Sequence, residues 1–310
     1  MRRVRYEANG GPEVLFTEEA PAPLPGPGQL LVRVEAAGVT LPSVLHVREG
    51  PSPTPLAGEV VGIVGAAGAG TGFTPGTRVA GMCLQDAYAE FVLLERSQAA
   101  PVPEHARAAE VVALVRSGPI ARGVCTAGLV GRGESVLVTA AAGATGALVV
   151  QLAKAAGAER VVAAVSSTAK TAFAFGCGAD EVITYDRMPP PEPVDVVLDG
   201  VGGGLLDPAT RSLRRGGRLV AFARGGGCLH TRQLVARNAS VTGFQMAALA
   251  RDKPALFACW RDELWDWHRS GVLHAPVHAE LPLAEAAAAH ELVESRRNHG
   301  KVVLTASERT

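Results

Sequence analysis

At 310 residues, 47% of them hydrophobic and 19% charged, the chain is long enough for about two domains with large packed cores. Lys+Arg 30 balance Asp+Glu 30, and a net charge of zero removes the simplest electrostatic case for nucleic acid or an anionic membrane, leaving a small metabolite as the natural partner. No apolar run reaches the roughly 18 residues that span a bilayer, and MRRVRYEANGG lacks the apolar centre of a signal peptide, so a cytoplasmic protein is expected.

Residues 1 to 116 read as β-rich. Gly10-Gly11-Pro12, the proline-dense run Pro21 to Gly28 and Gly50-Pro51-Ser52-Pro53 break the chain, and short strand candidates lie between them at Leu30 to Val34, Glu59 to Val64, Arg78 to Ala80 and Tyr88 to Leu94. That pattern predicts a partly open barrel. Beyond Arg116 strands and helices alternate. Ser135 to Thr139 leads through a small-residue turn into an amphipathic segment ending at Gly157. Val161 to Val165, Glu181 to Tyr185, Val194 to Leu198 and Gly217 to Ala223 follow as strands, with helices at Thr168 to Phe175 and Leu205 to Arg214. Apolar strands separated by helices predict a doubly wound parallel sheet with its ligand at the carboxyl ends of the strands. Val241 to Phe244 reads as one more strand, and Pro254 to Ser270 as a helix. Trp260, Leu264 and Trp267 share one face of it, a core or subunit contact rather than a cofactor box. Leu283 to Ser295 is an Ala-rich helix, and Gly300 to Leu304 a last strand.

Cys83, Cys125, Cys177, Cys228 and Cys259 are scattered, with no pair at zinc-ligand spacing, so structural zinc is not expected and the thiols read as buried or incidental. The chemistry concentrates in the turn after Thr139. Ala141, Gly143 and Gly146 occupy the positions of G-x-G-x-x-G, with Ala in place of the first glycine. A helix starting near Thr145 presents unpaired N–H groups and the positive end of its dipole to a phosphate. About 20 residues on, where an acidic side chain would select NADH, stand Ser166-Ser167, with Lys170 one turn later. Two hydroxyls and an ammonium suit the 2′-phosphate of NADPH; the same residues also read as a helix cap followed by a solvated lysine.

The ordered set of motifs resembles the zinc-independent quinone oxidoreductase and enoyl reductase-like branch of the medium-chain dehydrogenase/reductase superfamily. It runs from Gly10-Gly11-Pro12-Glu13-Val14-Leu15 through Gly38-Val39, Gly58-Glu59-Val60-Val61-Gly62 and Tyr88-Ala89-Glu90. It continues with the Gly loop, Gly178-Ala179-Asp180, Asp195 to Asp199, Gly216 to Val220, Ser295-Arg296 and Gly300-Lys301. The resemblance implies an α/β protein: a GroES-like β-barrel catalytic domain of residues 1–116 and 269–310, packed on a Rossmann nucleotide-binding domain of residues 117–268. It also implies a cleft between them where substrate meets nicotinamide, and a homodimer formed through the edge of the nucleotide-binding sheet.

By the same resemblance, Gly143, Ala144, Thr145 and Gly146 lie against pyrophosphate, while Ser166, Lys170 and Tyr185 surround the adenosine phosphate. Val201, Phe222, Ala223 and Arg224 approach the nicotinamide, with Arg296 and Asn298 closing over it. Where zinc-dependent relatives carry Cys and His near Gly38 and Glu59, this chain has Thr40, Ser43 and Ala57-Gly58. Without a metal to polarise a carbonyl, the implied chemistry is hydride delivery from NADPH to a quinone, enone or enoyl thioester. Three departures bear on that cleft. Thr40 and Ser43 replace the Asn and Asp of relatives, Pro119 stands where relatives carry a cofactor-contacting Thr, and no tyrosine follows Arg48-Glu49-Gly50. Arg224 replaces a small residue, either as a phosphate or substrate contact or as a surface side chain. These departures leave the general acid unassigned, with solvent a possible proton source, and keep open an alternative: an NADP(H)-binding scaffold with a sensor role or a non-redox cyclisation or elimination.

Overall fold

The computed structural model describes residues 1–50, 55–103, 105–223 and 225–306. The chain forms two compact units, Met1–Arg116 with Ala275–Thr310, and Ser117–His274. The return to the first unit falls after His274 because the segment beyond the long C-terminal helix is still held by the second. Leu273, 0% exposed, donates its N–H to Trp267 O, and the Gln151 side-chain amide bonds both the N–H and the carbonyl of His274.

The first unit is built on the eleven-residue strand Gln29–Val39. Leu30, Val32 and Val34 alternate into the core as a strand with one buried face requires, and Ala36 to Val39 are buried throughout. Antiparallel neighbours Gly58–Ala67, Phe91–Glu95 and Lys301–Thr305 pair with it. Arg78–Cys83 and Ala99–Pro101 extend the sheet on one side, and Val277–Pro282 extends it on the other, beyond Lys301–Thr305. The described residues of this unit include the α-helices Leu41–Glu49, Ala108–Val115 and Ala286–Glu294. The first, like the second, is absent from the sequence expectation, which assigns no element to either stretch. The proline of the first falls in the opening turn, where a missing N–H is harmless, and Thr40 caps that helix by accepting from the Ser43 N–H at 3.2 Å. The segment Tyr88 to Glu90, expected in a strand, lies outside the strand Phe91–Glu95 and forms only an isolated bridge, Arg3 to Ala89.

The second unit holds six parallel strands: β1 (Ser135–Val138), β2 (Arg160–Val165), β3 (Glu181–Thr184), β4 (Val194–Asp199), β5 (Leu213–Ala221) and β6 (Ser240–Gly243). Their order is β3-β2-β1-β4-β5-β6. β4 is buried along its whole length, and β1 and β2 from their second residue on, as helices on both faces of a parallel sheet require. The helix expected through Arg214 stops at Arg211. Thr210 and Ser212 turn their hydroxyls back to the carbonyls of Leu206 and Pro208, and Leu213 already pairs with Val194 across a bulge.

Three helices matter below: α1 (Ser117–Ala127), α2 (Ala144–Ala155) and α3 (Pro254–Arg269). On α3, Trp260 and Leu264 are buried, and the Arg122 guanidinium lies over the Trp260 and Trp267 rings at 5.5 and 5.7 Å while pairing with Glu263 at 2.8 Å. The tryptophan stripe is therefore packing against α1. Among the described residues no helix is long and apolar enough to cross a membrane.

Candidate functional site

In the second unit the strand order reverses between β1 and β4, and open parallel sheets bind ligands at the carboxyl ends of the strands at such a point. β1 ends there in the small-residue turn. Gly143 is the extended N-cap of α2 and contributes no side-chain cap, so the first-turn amides of Ala144, Thr145 and Gly146 have no acceptor within the helix. Gly146 is sterically required, since a Cβ there would stand 2.0 Å from Ala140 O. At Gly143 the same test gives 3.2 Å, a tight fit that a small shift could relieve. The residue that bends the loop is Ala140, at φ +52°, a left-handed conformation that L side chains rarely adopt. Its N–H donates to Tyr185 Oη at 3.2 Å. Tyr185, expected beside the adenosine phosphate, thus pins the phosphate loop from the turn after β3.

Ser166 and Lys170 lie in the turn after β2, between the strand ends that carry Tyr185 and the Gly loop. Ser166 is exposed, and Ser167 starts the 3-10 turn Thr168–Lys170 without a side-chain cap. Lys170 is 8% exposed, so the reading of a solvated lysine does not hold.

On the other side of the switch point, Val201 follows β4, and Phe222 and Ala223 follow β5, all half-buried. The Phe222 N–H donates to Asp199 O at 3.0 Å, and a Cβ on Gly200 would come within 2.7 Å of the Phe222 ring. Arg224 lies outside the described residues. Between the strand ends sits a pair that the sequence reading did not single out. Thr139 Oγ1 donates to Asp199 Oδ1 at 2.6 Å, and the two side chains are 0% and 1% exposed. A carboxylate directly after the apolar run Val196-Val197-Leu198 was the available signal. Arg296 and Asn298 belong to the first unit. Arg296 is exposed at φ +56°, and Asn298 Nδ2 donates to Gly300 O at 2.8 Å.

The first unit brings Thr40 and Ser43 together: their hydroxyls share a 2.8 Å hydrogen bond, and Ser43 Oγ donates to Ala57 O at 3.2 Å. The hydroxyl of Tyr88 lies 3.3 Å from His290 Nε2. Burial, with the Glu59 charge, pushes the Tyr88 phenol well above its ordinary range. Burial pulls the His290 imidazole down to about 4 against a partly compensating Glu294, so it is neutral at pH 7. Lys301 Nζ meets Glu59 Oε1 at 2.9 Å with 2% and 0% of the side chains exposed. Pro119 is buried within α1. Among the described residues no group of three or more His, Cys, Asp or Glu could hold a metal.

Residues 177–304 match the zinc-binding dehydrogenase family and residues 26–104 the alcohol dehydrogenase GroES-like domain. A 2-haloacrylate reductase from Burkholderia is 31% identical over 95% of this chain and 96% of its own. The chain belongs to the quinone oxidoreductase branch of the medium-chain dehydrogenase/reductase superfamily. Within this superfamily, prostaglandin reductase-3 of Bos taurus is 35% identical over 70% of the chain, a match spanning 61% of that relative's length. Escherichia coli quinone oxidoreductase, solved in complex with NADPH, shares the fold at a TM-score of 0.87 and 27% identity, over 98% of this chain and 100% of its own.

Proposed function

We propose that the protein is an NADPH-dependent, zinc-independent reductase that delivers hydride to a quinone or to a C=C bond conjugated with a carbonyl or thioester. The observation that carries the reading is the phosphate loop: Gly143 leaves the α2 amides uncapped, and Gly146 has no room for a side chain, at the switch point of a six-stranded parallel sheet. In this reading the amides of Ala144, Thr145 and Gly146 orient the pyrophosphate, and Ser166 with Lys170 holds the 2′-phosphate. Val201, Phe222, Ala223 and Arg224 line the nicotinamide side, with Arg296 and Asn298 contributed by the tail. Bound NADPH supplies the hydride from C4 of its nicotinamide.

The donor set around Gly38 and Glu59 supports a metal-independent reaction. Thr40 and Ser43 are hydroxyls engaged in a helix cap, and one Glu59 oxygen is held by Lys301. Neither thiolate nor imidazole stands at those positions. The family likeness carries with it a cytoplasmic homodimer, which light scattering would check. The decisive experiment follows NADPH absorbance with quinones and 2-enoyl thioesters. Oxidation of NADPH by either class supports the proposal; tight NADPH binding with no oxidation by both classes overturns it in favour of the non-redox alternative.

A further inference from the structure

We infer that Thr139 and Asp199 are positioning residues for the nicotinamide end of the cofactor, an inference that rests on the NADPH-dependent reading above. Thr139 directly follows β1 and Asp199 ends the adjacent β4, on either side of the point where the strand order reverses. A dinucleotide laid across that point has its two mononucleotide halves on opposite sides of it. With the 2′-phosphate subsite after β2, the nicotinamide half falls on the β4 side.

The pair is aimed at the loop there. Thr139 Oγ1 donates to Asp199 Oδ1 and accepts from the Gly200 N–H at 2.9 Å. Asp199 Oδ1 also accepts from the Val201 N–H at 3.3 Å, and Oδ2 accepts from the Gly202 N–H at 2.9 Å. Three consecutive amides therefore turn inward onto one buried hydroxyl and one buried carboxylate. The loop then continues through Gly202 and Gly203 at φ +72° and +58°, and the Gly203 N–H donates to Gly226 O at 2.9 Å. Burying a carboxylate is unfavourable unless its lone pairs are filled. Here they are filled by the Thr139 hydroxyl and the loop's own amides, so the buried side-chain pair and the shape of the loop hold each other in place. The cofactor is thus flanked by two braced loops, the phosphate loop held by Tyr185 and the nicotinamide loop held by Thr139 with Asp199.

The test compares Thr139→Val, Thr139→Ser and Asp199→Asn with the native chain in three measurements. These are calorimetric affinity for adenosine 2′,5′-bisphosphate, which lacks the nicotinamide, affinity for NADPH, and single-turnover hydride transfer to the accepted quinone or enoyl thioester. Thr139→Val and Asp199→Asn are expected to keep fragment affinity within about twofold and to slow hydride transfer by about tenfold to a hundredfold, the scale of a misplaced reacting atom. Thr139→Ser restores the rate. Native-like transfer in Thr139→Val, or equal losses for fragment and NADPH, or failure of serine to rescue, overturns the inference. If Asp199→Asn does not fold, the valine and serine variants decide alone. If the native chain binds NADPH but reduces nothing, the redox reading has failed, and the inference stands or falls on whether Thr139→Val weakens NADPH selectively over the fragment.

Discussion

Lys301 and Glu59 form an ion pair sealed inside the first unit, and breaking it from one side has a calculable outcome. The 2.9 Å contact leaves 2% and 0% of the two side chains exposed, and Glu59 Oε2 is buried without a hydrogen-bond partner. The opposite wall is Gly38, where a Cβ would stand 2.6 Å from Lys301 Cε and 2.7 Å from Glu59 Oε2. Removing either partner leaves the other buried without its ion pair, so Lys301→Met or Glu59→Gln alone should destabilise the unit by about 3 to 5 kcal/mol. In Glu59→Gln the lysine, already pulled down by burial, loses its one compensating charge. Its folded pKa lies below the unfolded value, so stability recovers as pH rises toward about 10. Glu59→Leu/Lys301→Met should recover most of the loss. The three tryptophans all lie on α3 of the other unit, so the readout must be hydrogen exchange of Gln29–Val39 amides in urea. Single variants losing less than about 1 kcal/mol, or a double variant losing the sum of the singles, would refute the reasoning.

His290 supplies a second pH effect. Its buried imidazole is held down from 6.5 to about 4, so the unfolded chain takes up a proton first on acidification, and up to about 3 kcal/mol of stability is lost between those values. Replacing His290 with Asn should flatten that part of the stability profile, and an unchanged slope would show that other groups carry it. Lys170→Ala should erase most of the preference for NADPH over NADH, because one charge-assisted hydrogen bond is worth about 1.5 to 3 kcal/mol; an unaltered ratio of the two Kd values would remove Lys170 from the 2′-phosphate site.

The parts of this molecule that were legible in the sequence are those specified by neighbours in the chain. The glycine at 146, the apolar runs of β1, β2 and β4, and the stripe Trp260-Leu264-Trp267 each declare themselves within a few residues. The helix Leu41–Glu49 was hidden because it is short and only Val44 and Val47 of it are buried, so it carries little apolar periodicity. Other features depend on partners far away in sequence. Tyr185 reaches Ala140 across 45 residues, Thr139 reaches Asp199 across 60, and Lys301 reaches Glu59 across 242. Local pattern does not name such partners, so the brace from Tyr185 to the phosphate loop and the pairing of Thr139 with Asp199 come from the fold. The alternative of a solvated Lys170 stayed open in the sequence because burial of a charged side chain is set by tertiary packing.

The two units differ in when they can be completed during synthesis. Ser117–His274 is one continuous segment, and every strand of its sheet exists once His274 has left the ribosome. The unit that begins the chain must wait. Its strands Val277–Pro282 and Lys301–Thr305 come last, and Lys301–Thr305 lies directly beside Gln29–Val39. Until Lys301 emerges, the Glu59 carboxylate has no ion-pair partner to bury it and one edge of Gln29–Val39 is open. The nucleotide-binding unit is therefore able to close first, while the other unit is held incomplete until Lys301–Thr305 has been made.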